Sequence, residues 1–191
     1  MDFVVDFSLP YDIFDEPTII KAVSVVSLYS NTIGHWLVRS PYPFMRLNLQ
    51  VRRKNNKETL KTHYIHWNDR DILPSDLEAA LISTLIDSTR IFVYGSEKVT
   101  ISQKLLPNHN NIINLVDYKC PIIKIFPNLQ LNCIHHGSNY HKKDSSTCTL
   151  TRASNFVSFI IENMDKFNLD IYSVNEKKSC NKCVVVKFSD I

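Results

Sequence analysis

Residues 18–40, Thr-Ile-Ile-Lys-Ala-Val-Ser-Val-Val-Ser-Leu-Tyr-Ser-Asn-Thr-Ile-Gly-His-Trp-Leu-Val-Arg-Ser, contain two β-branched, apolar runs separated by a turn. The alternation in residues 18–29 predicts one strand, and His35 to Ser40 predicts a second strand after a turn at residues 31–34. Upstream, residues 3–8 have the composition of a short buried strand that contains Asp6. Three consecutive strands with short connections predict an antiparallel meander.

Strands and helices alternate after this meander. The pattern predicts helices at about 75–85, 96–106 and 150–165, strands at 90–95 and 111–117, and a short helix at 121–126. Residues 44–70 are basic and predict an irregular connection with only weak helical character. We therefore expect an α/β protein with a mixed five-stranded sheet flanked by helices. Residues 1–166 would form this domain, and residues 167–191 a C-terminal extension with an added edge strand.

The bulk composition is typical of a single globular domain. The chain has 191 residues, of which 44% are hydrophobic and 21% charged, with a formal net charge of +3. No apolar run approaches the roughly 18 residues of a membrane helix, so we expect no membrane partner. Acids near the start and five cysteines, an odd number, favour reduced thiols and an intracellular location, either cytoplasmic or nuclear.

Cys133, His136 and Cys148 form the spaced set Cys-x2-His-x11-Cys, and the final helical pattern begins directly after it. Zinc prefers four tetrahedral ligands from Cys, His and, less often, carboxylate. The sequence nearby has no fourth sulfur or imidazole at the spacing of a zinc finger. The fourth ligand is therefore expected from a distant part of the chain. The alternative is a buried thiol pair beside a surface imidazole. Cys180 and Cys183 are interpreted as a reduced surface turn.

A basic block with interleaved aromatic residues lies between residues 42 and 67. Phosphate contacts from cations and base stacking on aromatic rings suit single-stranded nucleic acid. A solvated loop held to the core by its aromatic rings is the equally acceptable alternative. The cations assigned to nucleic-acid binding are Arg46, Arg52, Arg53, Lys54, Lys57 and Lys61.

The predicted order of elements resembles the ribonuclease-H-like fold, including its DEDD exonuclease branch. Enzymes of that kind bind two divalent metals with four carboxylates, beginning with Asp-x-Glu on the first strand. Here the first strand has Asp6 and then Ser8, and a serine cannot replace a charged oxygen ligand. Asp6 and Asp117 remain as weak catalytic candidates, so a standard two-metal exonuclease is not expected.

Glu97 follows the predicted fourth strand, and Cys148 begins the last predicted helix. Both are expected to lie beside the position where the exonucleases have their catalytic carboxylates. Together with Cys133 and His136 they would complete a tetrahedral zinc site. The combination of Tyr94-Gly-Ser-Glu97, Cys-x2-His and a helix-opening Cys resembles the Maelstrom domain of small-RNA pathways. This resemblance implies a degenerate ribonuclease-H-like fold with a structural zinc site of one Glu, one His and two Cys.

The function expected from these residues is binding of RNA or single-stranded nucleic acid without catalysis. The resemblance implies a setting in small-RNA silencing of mobile elements. Two alternatives stay open: a divergent metal-dependent nuclease built on Asp6 and Asp117, and an adaptor that binds a protein partner.

Overall fold

The computed structural model of the protein describes residues 1–10, 19–61, 65–121, 133, 148–169 and 184–186. The strands are β1 (Asp2–Ser8), β2 (Ala22–Ser27), β3 (Thr32–Leu37), β4 (Arg90–Val93), β5 (Ile112–Asn114) and β6 (Val184–Val186). The helices are α1 (Leu49–Lys61), α2 (Pro74–Leu85), α3 (Ser96–Leu105) and α4 (Thr149–Glu162). None of the helices in the described ranges is long and apolar enough to cross a membrane.

The strands form one mixed sheet in the order β5-β4-β1-β2-β3-β6. Strands β1, β2 and β3 are an antiparallel meander, whereas β4 pairs parallel to β1, β5 parallel to β4, and β6 parallel to β3. The α/β class and the mixed sheet with flanking helices are confirmed. The sheet has six strands, since the short segment Val184–Val186 extends it beyond β3.

Helices cover both faces of the sheet and form two separate cores. Alternate residues of the meander, including Val5, Val25 and Trp36, pack against α2 and α3 in an apolar core. The residues between them, including Val4 and Val26, pack against α4. We call these the α2/α3 face and the α4 face. Because side chains alternate along a strand, the same three strands supply both cores.

The turn between β2 and β3 lies earlier than the sequence pattern predicted. Strand β3 begins at Thr32, so Gly34 is within the strand and not in the turn. A Cβ atom built on Gly34 would lie 2.2 Å from the ring of Trp36, two residues further on. Glycine is therefore required at position 34 because the indole ring of Trp36 covers its backbone. The sequence analysis assigned this glycine to a turn, whereas its role is to make room for the ring.

The prediction of an irregular connection at residues 44–70 is wrong for its central part. Residues 49–61 form α1, whose start is capped by Asn48, because its Oδ1 atom accepts a 2.9 Å hydrogen bond from Val51 N. Val51 and Asn55 are buried, whereas most other described side chains of the helix are exposed. With only a narrow buried stripe, α1 has a weak helical pattern, which explains the error.

Candidate metal centre

One row of polar residues crosses the α4 face of the sheet. Asp6 of β1 pairs in register with Ser24 of β2, and Ser24 pairs with His35 of β3. All three are buried, with exposed fractions of 5% or less. Residues directly opposite in antiparallel strands have Cβ atoms about 5 Å apart, so the three side chains form a continuous polar line under α4. The helix begins over this line.

His35, Cys133 and Cys148 converge at one end of the row. Their ligand atoms lie within 4.8 Å of one another, and all three residues are buried. His35 Nε2 is 3.3 Å from Cys133 Sγ. Cys148 is the N-cap residue of α4, where the helix dipole favours a thiolate. Two thiolates and one imidazole at these separations are a donor set that fits zinc.

The hydrogen bonds of His35 determine which ring nitrogen is available to a metal. Ser24 Oγ donates to Thr149 Oγ1 at 2.7 Å, and Ser24 Oγ also lies 2.7 Å from His35 Nδ1. His35 Nδ1 also lies 3.3 Å from the carbonyl oxygen of Val23, which can only accept, so Nδ1 carries the proton of the imidazole ring. Nε2 is then unprotonated and faces Cys133. A protein partner on the opposite ring nitrogen is the usual arrangement around a metal-binding histidine.

The other end of the row is an ion triad formed by the buried Asp6 and the half-buried Lys98 and Arg152. Lys98 Nζ donates to Asp6 Oδ1, and Arg152 Nε donates to Asp6 Oδ2 at 2.6 Å. Arg152 also donates from Nη2 to the Phe7 carbonyl at 2.7 Å. Burial lowers the pKa of Lys98, and the charge of Asp6 opposes that shift. Both carboxylate oxygens of Asp6 are therefore occupied by cations of the protein itself.

Glu97 is not part of the metal-ligand group. It is an exposed acid in the first turn of α3, and the apolar residues of that helix pack on the α2/α3 face. His35 takes the place that the sequence pattern gave to Glu97. The sequence contained one signal for His35: it is a single histidine in an apolar strand, and it pairs directly with the polar residue Ser24 of the neighbouring strand. It was missed because the misplaced turn left the pairing of the two strands undefined.

Other predicted site residues are distributed over the molecule. Asp117 is exposed in a 3-10 turn, Leu115–Tyr118, that follows β5. His136, Cys180 and Cys183 lie outside the described residues, as do most of residues 121–126. Cys120 is buried among apolar residues of the α4 face. Burial raises the pKa of Cys120 to about 12, so this thiol stays protonated.

The predicted nucleic-acid residues lie on and beside α1. Arg53, Lys54 and Lys57 are exposed, Arg46 is exposed before the helix, and Arg52 is half-buried. At 100° per residue, positions 53, 54 and 57 fall within an arc of about 100°, away from the buried positions 51 and 55. Lys61 is the last residue of α1, and its side chain lies outside the described part of the structure. The aromatic rings of the basic block do not project from this cationic side of α1. Tyr42, Phe44 and Trp67 pack together beneath α1, with ring centroids 5.7 and 6.0 Å from Trp67.

No protein-family model, curated protein or solved structure matches this chain. The likeness to the Maelstrom domain and to DEDD exonucleases therefore stays a prediction from the sequence. What the structure adds is the geometry of the polar row, with three metal-capable side chains at one end and an ion triad at the other.

Proposed function

We propose that this chain is a non-catalytic, ribonuclease-H-like module that is held together by structural zinc and binds single-stranded nucleic acid. The observation that carries the proposal is the buried convergence of His35, Cys133 and Cys148 under the start of α4. The strand order β5-β4-β1-β2-β3, with β2 antiparallel, supports a ribonuclease-H-like assignment. Within that fold, we propose that the chain is related to the zinc-binding Maelstrom domain and that it acts in small-RNA silencing.

The role proposed for zinc is a tertiary link. His35 lies in the meander, Cys148 at the start of α4, and Cys133 between β5 and α4, so one ion would join three distant parts of the chain. The sequence supplies His136, three residues after Cys133, as the fourth ligand. With four ligands from protein, a zinc site has no open position for an activated water, as is typical of structural sites.

The absence of catalysis is supported by the ion triad. Two-metal nucleases need carboxylates that are free to bind cations. Here Lys98 and Arg152 bind both oxygens of Asp6, and the next inward position on the strand is Ser8. Two fixed cations beside the carboxylate also oppose the approach of Mg²⁺. A divergent nuclease based on Asp6 would first have to displace them.

Nucleic-acid binding is supported by the cationic face of α1. Salt-dependent contacts with phosphates are the interaction that exposed Arg and Lys side chains on one helix face provide. The buried aromatic cluster under α1 argues against a stacking platform on this helix. We therefore propose backbone contacts of low sequence preference. A protein-binding adaptor is the alternative.

Metal analysis of protein expressed without added zinc tests the first part of the proposal. We expect about one zinc ion per chain, and loss of that ion in His35→Ala, Cys133→Ser and Cys148→Ser variants. Glu97→Ala is the matched control, since it removes the originally expected ligand, and it should keep the ion. His136→Ala should lose it. Full zinc content in the His35→Ala protein would refute the site.

Binding of fluorescent oligouridylate at increasing salt tests the second part. The double variant Arg53→Ala/Lys57→Ala should weaken binding and reduce the slope of log K against log salt by about 1 to 2. Lys104→Ala/Lys119→Ala removes two exposed charges elsewhere and should have little effect. No binding at low salt would favour the adaptor. Degradation of the RNA that is lost in Asp6→Asn would favour the nuclease.

A further inference from the structure

A cleft of about 740 Å³ lies beside α1 and at the start of α2, away from the polar row. Three segments line it: residues 39–43 after β3, residues 67, 68 and 70, and residues 73–75 at the start of α2. Small-molecule sites in proteins usually have volumes of 300–1,000 Å³. The cleft therefore has room for a ligand of nucleotide size.

The lining of the cleft is cationic. Arg39 and Arg70 both line it and are exposed, and no residue of the lining is acidic. Within the described ranges neither guanidinium group makes a hydrogen bond or an ion pair with the protein. Three acids lie next to the cleft, and each accepts a hydrogen bond from the protein: Asp69 Oδ2 from His66 N at 2.7 Å, Asp71 Oδ2 from Leu37 N at 2.7 Å, and Asp76 Oδ1 from Ser75 Oγ at 3.0 Å. Two arginines without carboxylate partners are suited to an oxyanion.

The start of α2 adds one backbone donor to the same cleft. Leu73, the N-cap residue, cannot cap the helix through its side chain, and Pro74, which begins the first turn, has no N–H group. The amide of Asp76 donates to the Leu73 carbonyl at 3.0 Å, so the amide of Ser75 is the donor of this turn that is open to an anionic ligand, which the helix dipole also favours. Here the helix end supplements the two arginines and does not carry the site alone.

The walls of the cleft are fixed before any ligand binds. Trp67 Nε1 donates to the Tyr42 carbonyl at 2.8 Å, which joins two of the three segments. Ser40 Oγ donates to the Trp67 carbonyl at 2.9 Å. The buried Lys21 donates from Nζ to the carbonyls of Val38 and Trp67, at 3.1 and 3.0 Å, and to that of Asp69. A preorganised wall reduces the entropy lost on binding.

We propose that this cleft binds a nucleotide, with the phosphate between Arg39 and Arg70 and the base against the half-buried ring of Tyr42. The aromatic wall favours a nucleotide over a bare phosphate, and the exposed amide of Asn68 supplies hydrogen-bonding groups for a base edge. The inference deepens the proposed nucleic-acid function, because the cleft adjoins the aromatic cluster on which α1 packs. It nevertheless stands on different residues.

Calorimetric titration with uridine 5′-monophosphate tests the site. We expect saturable binding that is at least about tenfold tighter than binding of uridine, because the phosphate forms charge-assisted hydrogen bonds with arginine that uridine lacks. The variant Arg39→Gln/Arg70→Gln should weaken the mononucleotide at least about tenfold. Lys104→Gln/Lys119→Gln, which lowers the net charge equally, should leave it unchanged. Thermal melting of both variants checks that they fold, which exposed positions should allow.

Several outcomes would overturn the inference. These are no binding of the mononucleotide, equal binding of uridine, or equal loss in both double variants; inorganic phosphate binding as tightly as the mononucleotide would overturn the nucleotide assignment. A 5′-hydroxyl oligouridylate of about ten residues separates this site from α1. If the oligonucleotide binds and the mononucleotide does not, the cleft proposal fails and the α1 proposal stands. The reverse result leaves the cleft standing and removes the α1 proposal.

Discussion

The two faces of the central sheet come from the same strands and differ in what they bury. On the α2/α3 face, Phe3, Val5 and Trp36 pack in an apolar core. On the α4 face, the corresponding row is Asp6, Ser24 and His35, buried to the same degree. Buried polar groups stabilise a fold only when every one finds a partner. The α4 face therefore depends on a few specific interactions, whereas the α2/α3 face depends on apolar area and shape.

Removal of the proposed metal should have the largest effect. Zinc bound only by the folded state adds its binding free energy to stability, and loss of a structural metal is among the changes that exceed about 4 kcal/mol. We expect His35→Ala to lower the free energy of unfolding by about 5 kcal/mol, measured by urea denaturation. A strong chelator should destabilise the unmodified protein similarly and leave His35→Ala unchanged. Equal chelator effects on both proteins would contradict this.

Breaking the ion triad should have the next largest effect. Asp6→Ala leaves Lys98 and Arg152 without their shared carboxylate. Loss of one partner of a fully buried pair costs about 3–5 kcal/mol, and because water reaches both half-buried cations we expect the lower end, about 3 kcal/mol. The control Glu78→Ala removes an exposed acid on α2 and should change stability by less than about 0.5 kcal/mol.

The triple variant Asp6→Leu/Lys98→Met/Arg152→Met tests whether the loss of stability in Asp6→Ala comes from the unpaired cations. It makes this end of the row apolar, and replacing a whole buried ion cluster is often neutral or stabilising. We expect denaturation to show it more stable than Asp6→Ala. If both proteins were equally unstable, the triad would not be the reason for the loss.

On the α2/α3 face, the position most sensitive to substitution is Gly34, because the ring of Trp36 leaves no room for a larger side chain. Gly34→Ala places a methyl group where the Trp36 ring lies, and overpacking a core typically costs about 1–3 kcal/mol. We expect about 3 kcal/mol in thermal or urea denaturation. In a Trp36→Leu background the ring is gone, so the same substitution should cost much less. An unchanged cost in that background would show that the ring is not the cause.

A change of one pH unit above pH 8 should have the smallest effect. Lys21 lies at the end of the α2/α3 face, and burial lowers its pKa from 10.5 to about 8. Between these two pH values the unfolded state holds the proton and the folded state does not, so stability should rise with pH, by at most about 1.4 kcal/mol per unit. Urea denaturation of the unmodified protein relative to Lys21→Met checks this. A difference that falls with pH would contradict it.

The sequence predicted the elements of the sheet better than it predicted the site. Strands and the last three helices follow from apolar periodicity, which is a local property. His35 could not be placed in the cluster with Cys133 and Cys148 in the same way, because its position there depends on pairing with Ser24 and on the start of α4, more than 110 residues away. Cys133 and Cys148 were selected as candidates because their spacing is a local property of the sequence. Glu97 was selected for its position after β4, and the packing of α3 directs it elsewhere.

The polar row joins residues that lie far apart in the chain. The contact between His35 and Cys133 spans 98 residues, and the ion pair between Asp6 and Arg152 spans 146. During synthesis the ribosome delivers the meander and Lys98 long before α4, so β1–β3 must wait with a carboxylate that lacks Arg152 and an imidazole that lacks Cys133 and Thr149. Closure of the α4 face is thus a late event in biogenesis, and a nascent chain that stalls before residue 148 exposes this half-finished surface to chaperones and proteases.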